Sequence, residues 1–311
     1  MTFAPEPRRR LRQLVIGVVI LGVVMGAVGG AAIATDTLGM GGHWQGLLNR
    51  IDRFITGPVP DRPTLATVLV TPPPSSTPSP TTKATASRRP GASATAVPTP
   101  SPPPHRVSVD VNVVQNPNAV FKTEIHKDWC AAAGVQIVLA QFGLADTSDA
   151  TQGKIADRVR TWESYADSHN GAWGPAAMAL ALKAYGAPGY QIRAFDSRMD
   201  ALRDAAKAIE TTGSPAILLA WYGAHTWVMS GFRADADPAV FDDAKILGTY
   251  ILDPWYPRIS TLWGPSDPPG TFQDWSEMVR NFLPWKRPEG RYPDRDGLFI
   301  TVVPTLPPPN G

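Results

Sequence analysis

A run of 22 uncharged residues, Leu14 to Thr35 (LVIGVVILGVVMGAVGGAAIAT), directly follows Arg8, Arg9, Arg10 and Arg12. About 20 helical residues cross a hydrocarbon core, and basic residues flanking a span stay on the cytoplasmic side. The pattern predicts a cytoplasmic basic tail at 1–13 and a transmembrane helix, a signal anchor, at 14–35. The rest of the chain is then extracellular, held at the cell membrane by a single pass. A cleaved signal peptide is the competing reading, and Ala32-Ile33-Ala34 supplies a small-x-small site for it. The run exceeds the roughly 7–15 residues of a signal h-region, which favours the anchor.

Beyond the run, composition divides the chain. Within residues 36–57, Trp44, Leu47, Leu48, Ile51, Phe54 and Ile55 recur at helical spacing, with Arg50, Asp52 and Arg53 mostly on the other side. This predicts a juxtamembrane amphipathic helix, lying on the outer membrane surface or packed on the globular part. Residues 58–106 hold 14 of the chain's 33 Pro, among Ser, Thr and Ala. Such a segment buries too little apolar surface to offset its ordering entropy, and is read as a disordered, semi-stiff linker. The net charge of +2 hides a split: residues 1–106 carry 11 Lys/Arg against 4 Asp/Glu, and 107–311 carry 18 against 23. An acidic domain lacks the basic footprint of a nucleic-acid binder, so no nucleic-acid partner is expected. The single cysteine excludes an internal disulfide framework and a Cys-rich zinc site.

Residues 107–311 read as one globular domain. Val107–Val114 alternates like a strand. Trp129–Phe142 (WCAAAGVQIVLAQF) reads as a helix with Asp128 as N-cap. Helices follow at Gly153–Ala166, Pro175–Tyr185 and Met199–Thr211, with a strand at Tyr190–Phe195 between the last two. Pro215–Tyr222 (PAILLAWY) is a continuous apolar run, as in a strand buried on both faces. Thr226–Phe232, Ile246–Leu252 and Leu298–Val303 complete the strands. Helices first and strands later is an α+β pattern.

Cys130 falls in the first turn of its predicted helix, where free N–H groups and partial positive charge favour a thiolate, although Asp128 opposes this. On its own it also reads as a small buried residue of an Ala-rich helix. A thiol nucleophile needs a base oriented by a third group. Among five histidines, His43 lies near the membrane, His105 in the linker, and His126 and His169 in loops. His225 opens a strand straight after the buried run. Asp253 follows Tyr250-Ile251-Leu252 and precedes Pro254, a place suited to the orienting group, although alone it reads as a turn former.

The ordered set Cys130, His225, Asp253 resembles the papain-like cysteine peptidases that process bacteriocin leaders at a double-glycine site, family thirty-nine of the cysteine peptidases. WCAAAGVQIVLAQFG looks like the family's nucleophile helix, and NGAWGPAAMALALKAYG like the helix leading into a short strand. SPAILLAWYGAHTWVMSGF resembles its strand-His segment, and ILDPWYP its Asp-Pro segment. The resemblance covers residues 108–260. It implies a papain-like fold, with N-terminal helices on an antiparallel sheet, in which Cys130 is nucleophile, His225 general base and acid, and Asp253 the residue orienting His225. Two positions depart from the family. Ala131 follows the nucleophile where the family has Gly. Six residues before it stands Glu124, where the family has a Gln that stabilises the oxyanion. Gln115, ending the strand-like VDVNVVQ, is the preferred candidate for that role, with an insertion between it and Cys130.

The reading expected from sequence is therefore a membrane-anchored extracellular cysteine peptidase, cleaving a peptide or protein at the cell surface through a thioacyl-enzyme. Trp129 and Trp227 flank the proposed triad and are candidate substrate-binding residues. No cofactor or metal is implied. Two alternatives stand beside it: a catalytically silent peptidase-like binding module, and a peptidoglycan amidase or endopeptidase. A sortase would place His before Cys in a TLxTC setting, which this chain lacks.

Overall fold

A computed structural model of the chain describes residues 65–70, 104–159, 161–162, 167, 173–287, 290 and 292–309. The basic tail, the span at 14–35, the amphipathic segment and most of the linker lie outside the described residues. Among the described residues no helix is long and apolar enough to cross a membrane.

The described chain runs β1 (Thr67–Leu69), β2 (Val109–Asn112), α1 (Pro117–Val120), α2 (Cys130–Gln141), α3 (Asp149–Val159), α4 (Pro175–Ala184), β3 (Tyr190–Phe195), α5 (Arg198–Thr212), β4 (Ala216–Leu219), α6 (Ala220–Gly223), β5 (His225–Ala234), β6 (Ile246–Leu252), β7 (Ile259–Ser260), β8 (Gly264–Pro265), β9 (Thr271–Asp274), α7 (Trp275–Asn281) and β10 (Phe299–Pro304). Helices and strands mix as an α+β domain. Seven strands form one path, β1-β3-β10-β4-β5-β6-β9, and β2 joins it on β5. Pairing is antiparallel except between β1 and β3, which are parallel.

Alternating side chains send two cores to opposite faces of this sheet. Ile217, Leu219, Val228, Ile300 and Val302 pack with α2, α3 and α4. Ala216, Leu218, Trp227, Met229, Phe299 and Val303 pack with α5 and with Met278 of α7. Helix α5 is capped at both ends: the Ser197 side chain accepts from the Asp200 amide, and Gly213 closes it at φ 70. Nine consecutive residues of α2, Ala131 to Leu139, are buried. A helix apolar all round is a central one. Asp128 does not cap it. The N-cap is Trp129, without a side-chain hydrogen bond, because an indole offers only a donor, and its backbone amide donates to the His126 carbonyl at 3.0 Å.

Three boundaries move from expectation. Thr67–Leu69 lies inside the segment read as linker, yet adds as an edge strand to β3, since Leu65, Val68, Leu69 and Val70 form a local apolar patch within a Pro-rich stretch. The helix expected from Gly153 begins four residues earlier, at Asp149. The apolar run ends as a strand at Leu219. The chain then makes the tight turn α6, with Trp221 and Tyr222 left-handed at φ 53 and 60.

One contact fixes α2 on β5. A Cβ added at Gly134 would meet Thr226 Cγ2 at 2.6 Å. Gly134 is one helical turn from Cys130, and Thr226 adjoins His225, so this close approach sets the distance between Cys130 and His225. Thr226 is buried, and its β-branched side chain is stiff at χ1. Ala at 134 should gain about 1 kcal/mol of helix propensity and lose about 1–3 kcal/mol to overpacking. The expected outcome for Gly134→Ala is a lower urea midpoint; an unchanged or higher midpoint would show slack between α2 and β5.

Candidate active site

Antiparallel pairing of β5 with β6, in register Val228 with Leu252, brings the start of β5 and the end of β6 to one end of the sheet. His225 is the first residue of β5, and Asp253 the first after β6. His225 Nε2 lies 2.6 Å from Asp253 Oδ1, which also accepts from the Trp255 amide at 2.9 Å. Both side chains are buried. With Nε2 held by Asp253, Nδ1 is the ring nitrogen left for another partner. Cys130 Sγ, a His225 ring nitrogen and a carboxylate oxygen of Glu124 all lie within 4.8 Å of one another. The structure thus brings Cys130, His225 and Asp253 together, with Glu124 as a fourth member.

Burial opposes a charge on His225, but the Asp253 carboxylate and its hydrogen bond, with the Cys130 thiol, outweigh it and raise the pKa to about 10. The imidazole is therefore held as a cation at neutral pH. Trp221 stacks on the ring at 4.1 Å between centroids, 17° from parallel, and Trp263 stacks on Trp221 in turn at 5.7 Å. The left-handed turn at Trp221 and Tyr222 puts the indole there; two non-glycine residues in that region cost about 1–3 kcal/mol each. Gly223 completes the turn at φ 78, where a Cβ would meet Trp285 at 2.3 Å.

Glu124 is strapped in place by its neighbours. Its amide donates to the Pro254 carbonyl at 3.0 Å, and Thr123 Oγ1 donates to the Tyr256 carbonyl at 2.7 Å. Gln152 of α3 accepts from the Ile125 amide and donates to the Thr123 carbonyl. Arg258 donates to Glu124 Oε1 at 3.0 Å and to its backbone carbonyl at 2.8 Å. Oε2 is buried with no hydrogen-bond partner among the described residues. Burial raises the Glu124 pKa to about 7, against the lowering influence of His225 and Arg258; Asp253 and Asp128 add to the rise. With His225 held as a cation and burial favouring a protonated Glu124, the cluster of Glu124, Cys130 and His225 reads as a hydrogen-bonding set rather than a cation centre.

Gln115, the expected oxyanion residue, is exposed, and its side-chain amide donates to the Asn112 carbonyl at 2.6 Å. Neither it nor Glu124 is among the residues lining the pocket over Cys130. The turn after β2 spends the amide on local backbone, and the six-residue offset falls on Glu124 instead. Trp227 is buried in the core on the α5 side, because side chains alternate along β5 and its neighbour Val228 faces α2. Trp129 packs edge-on against His126 at 4.3 Å. Neither lines the pocket. Its aromatic walls are Trp173, Trp221, Trp255 and Trp285, joined by Arg287, whose charged form is disfavoured by burial and supported by Cys130. Trp255, two residues after Asp253, and Trp221, four before His225, stand close to those residues in the sequence but were not singled out there; Arg258 and Arg287 had no sequence signal.

No protein-family model and no curated protein matches the sequence. Among solved structures, the crystal structure of a double glycine motif protease from an AMS/PCAT transporter in complex with the leader peptide aligns over 60% of this chain and 91% of that chain, at 16% identity and a TM-score of 0.29.

The Glu124 proton is linked to stability. A folded-state pKa raised from the ordinary 4.5 to about 7 means that the native state binds the proton more tightly. This contribution is therefore present below about pH 4.5 and lost as pH rises toward 7. Urea unfolding at pH 4.5 and 7.5 should show the wild type losing up to about 3 kcal/mol relative to Glu124→Gln across that interval. Parallel curves for the two proteins would mean that Glu124 is not buried as described.

Proposed function

We propose that this chain is a membrane-anchored cysteine peptidase of papain-like fold, acting outside the cytoplasm on a peptide or protein substrate. The observation that carries the reading is His225 held between Asp253, at 2.6 Å, and the thiol of Cys130, within 4.8 Å. A protonated imidazole beside a thiol supplies the counter-charge that a thiolate nucleophile needs. The sulfur attacks the scissile carbonyl, forming an S–C bond while the carbonyl π pair moves to oxygen. Collapse re-forms the carbonyl, and His225 gives its proton to the departing amine. Water, deprotonated by neutral His225, then attacks the thioester and releases the acid and the thiol. Asp253 keeps the ring oriented throughout. The pocket of tryptophans beside Cys130 suits an extended chain with apolar side groups. Anchoring rests on the arginines and the apolar run at 14–35.

Because Cys130 is the only cysteine, intact mass reads its modification without ambiguity. A free thiol is only a few per cent thiolate at pH 7, so the ion pair predicts iodoacetamide labelling at least ~10-fold faster in the wild type than in His225→Ala. Fluorogenic casein should be hydrolysed by the wild type and not by Cys130→Ser. Slow labelling, equal in wild type and His225→Ala, with no hydrolysis, would favour a silent binding module.

A further inference from the structure

The buried Oε2 of Glu124 is an unexplained atom of this site, as is the buried indole nitrogen of Trp255. Oε1 is satisfied by Arg258, the backbone on both sides is tied down, and a carboxylate oxygen of this residue lies within 4.8 Å of the Cys130 sulfur. A buried polar atom left without a partner is costly unless a ligand completes it. During attack by Cys130, the group that appears beside the sulfur is the oxygen of the former carbonyl, carrying the displaced electron pair. An ionised carboxylate would repel it, whereas a neutral carboxylic acid would donate to it.

We propose that Glu124 acts in its neutral form as the oxyanion donor: Oε2–H hydrogen-bonds the substrate oxygen as the S–C bond forms, so turnover requires Glu124 to be protonated. This rests on Cys130 being the nucleophile. No proton is transferred in the step; the O–H bond stays with Glu124 while the oxygen gains and then returns its electron pair. Five charged or titratable groups face the carboxyl: Arg258 from the turn after β6, Asp253 at the end of β6, His225 of β5, and Asp128 and Cys130 at the start of α2. Arg258 and His225 favour the anion, and Asp253 and Asp128 favour the acid. Burial tips the sum, holding the proton to about pH 7. The consequence is an enzyme working on the acid side of neutrality and fading above it, opposite to the gain expected from thiol ionisation alone.

Two reactions of Cys130 separate the oxyanion donor from the nucleophile. Acylation by p-nitrophenyl acetate passes through an oxyanion, and alkylation by iodoacetamide does not. Their rate ratio cancels the thiolate fraction. In the wild type the ratio should fall about tenfold per pH unit above about pH 7. In Glu124→Gln, whose amide donates at every pH, it should be flat. In Glu124→Ala it should be lowered at acid pH by about 10²–10³. A wild-type ratio independent of pH, or one with the same slope in Glu124→Gln, overturns the proposal while leaving the cysteine nucleophile standing. Absence of both reactions overturns the nucleophile and this proposal with it. The wild-type profile needs no variant, so the test survives a substitution that fails to fold.

Discussion

Everything at the candidate site depends on the contact between His225 and Asp253. Neither side chain is positioned by a loop of its own. His225 is where β5 begins and Asp253 is where β6 stops, and the antiparallel register between those strands makes the two ends coincide. Strand β5 is in turn gripped on both edges, by β4 and β2 along one and β6 along the other, with almost all of its residues buried. A one-residue slip would send its alternating side chains to the wrong faces, so both cores defend the geometry of the pair. Helix α2 then joins through Gly134, whose missing side chain lets the helix sit directly on Thr226.

Polar burial is the second theme. Glu124, His225 and Asp253 are three titratable groups in one dry corner, and each is countered by a different device. Asp253 has the imidazole and the Trp255 amide, and His225 has Asp253 and the stacked Trp221. Glu124 has Arg258 on one oxygen only. Breaking any one of these leaves an uncompensated buried charge, usually costlier than the pair was stabilising. Such arrangements, stable only as a set, also shift pKa values, that of Glu124 up to about 7 and that of His225 up to about 10.

Much of this was legible in the chain itself. The order of helices and strands, the cysteine at the head of an Ala-rich helix, and the His after a fully buried run all follow from local patterns of 3.6- and two-residue period. Asp253 was legible because Pro254 ends its strand. What failed to show was whatever depends on tertiary fit. Gln115 satisfied the expected residue type, but a turn consumes its amide, whereas Glu124, with an unexpected side chain, is buried close to Cys130. Trp227 stands two residues from His225 in sequence yet packs in the core on the α5 side. Thr67–Leu69 became a strand only because β3 offered an edge. The left-handed residues Trp221 and Tyr222 broke a run that hydropathy alone reads as continuous.

The central physical claim is that His225 is a cation clamped between Asp253 and Cys130. The ring-nitrogen ¹⁵N shifts of His225 measured across pH test it directly. The account predicts that both nitrogens stay protonated through neutrality, well above the ordinary imidazole midpoint of about 6.5, and that Asp253→Asn and Cys130→Ala each bring the midpoint down. A midpoint near 6.5 in the wild type, unmoved by either substitution, would contradict it.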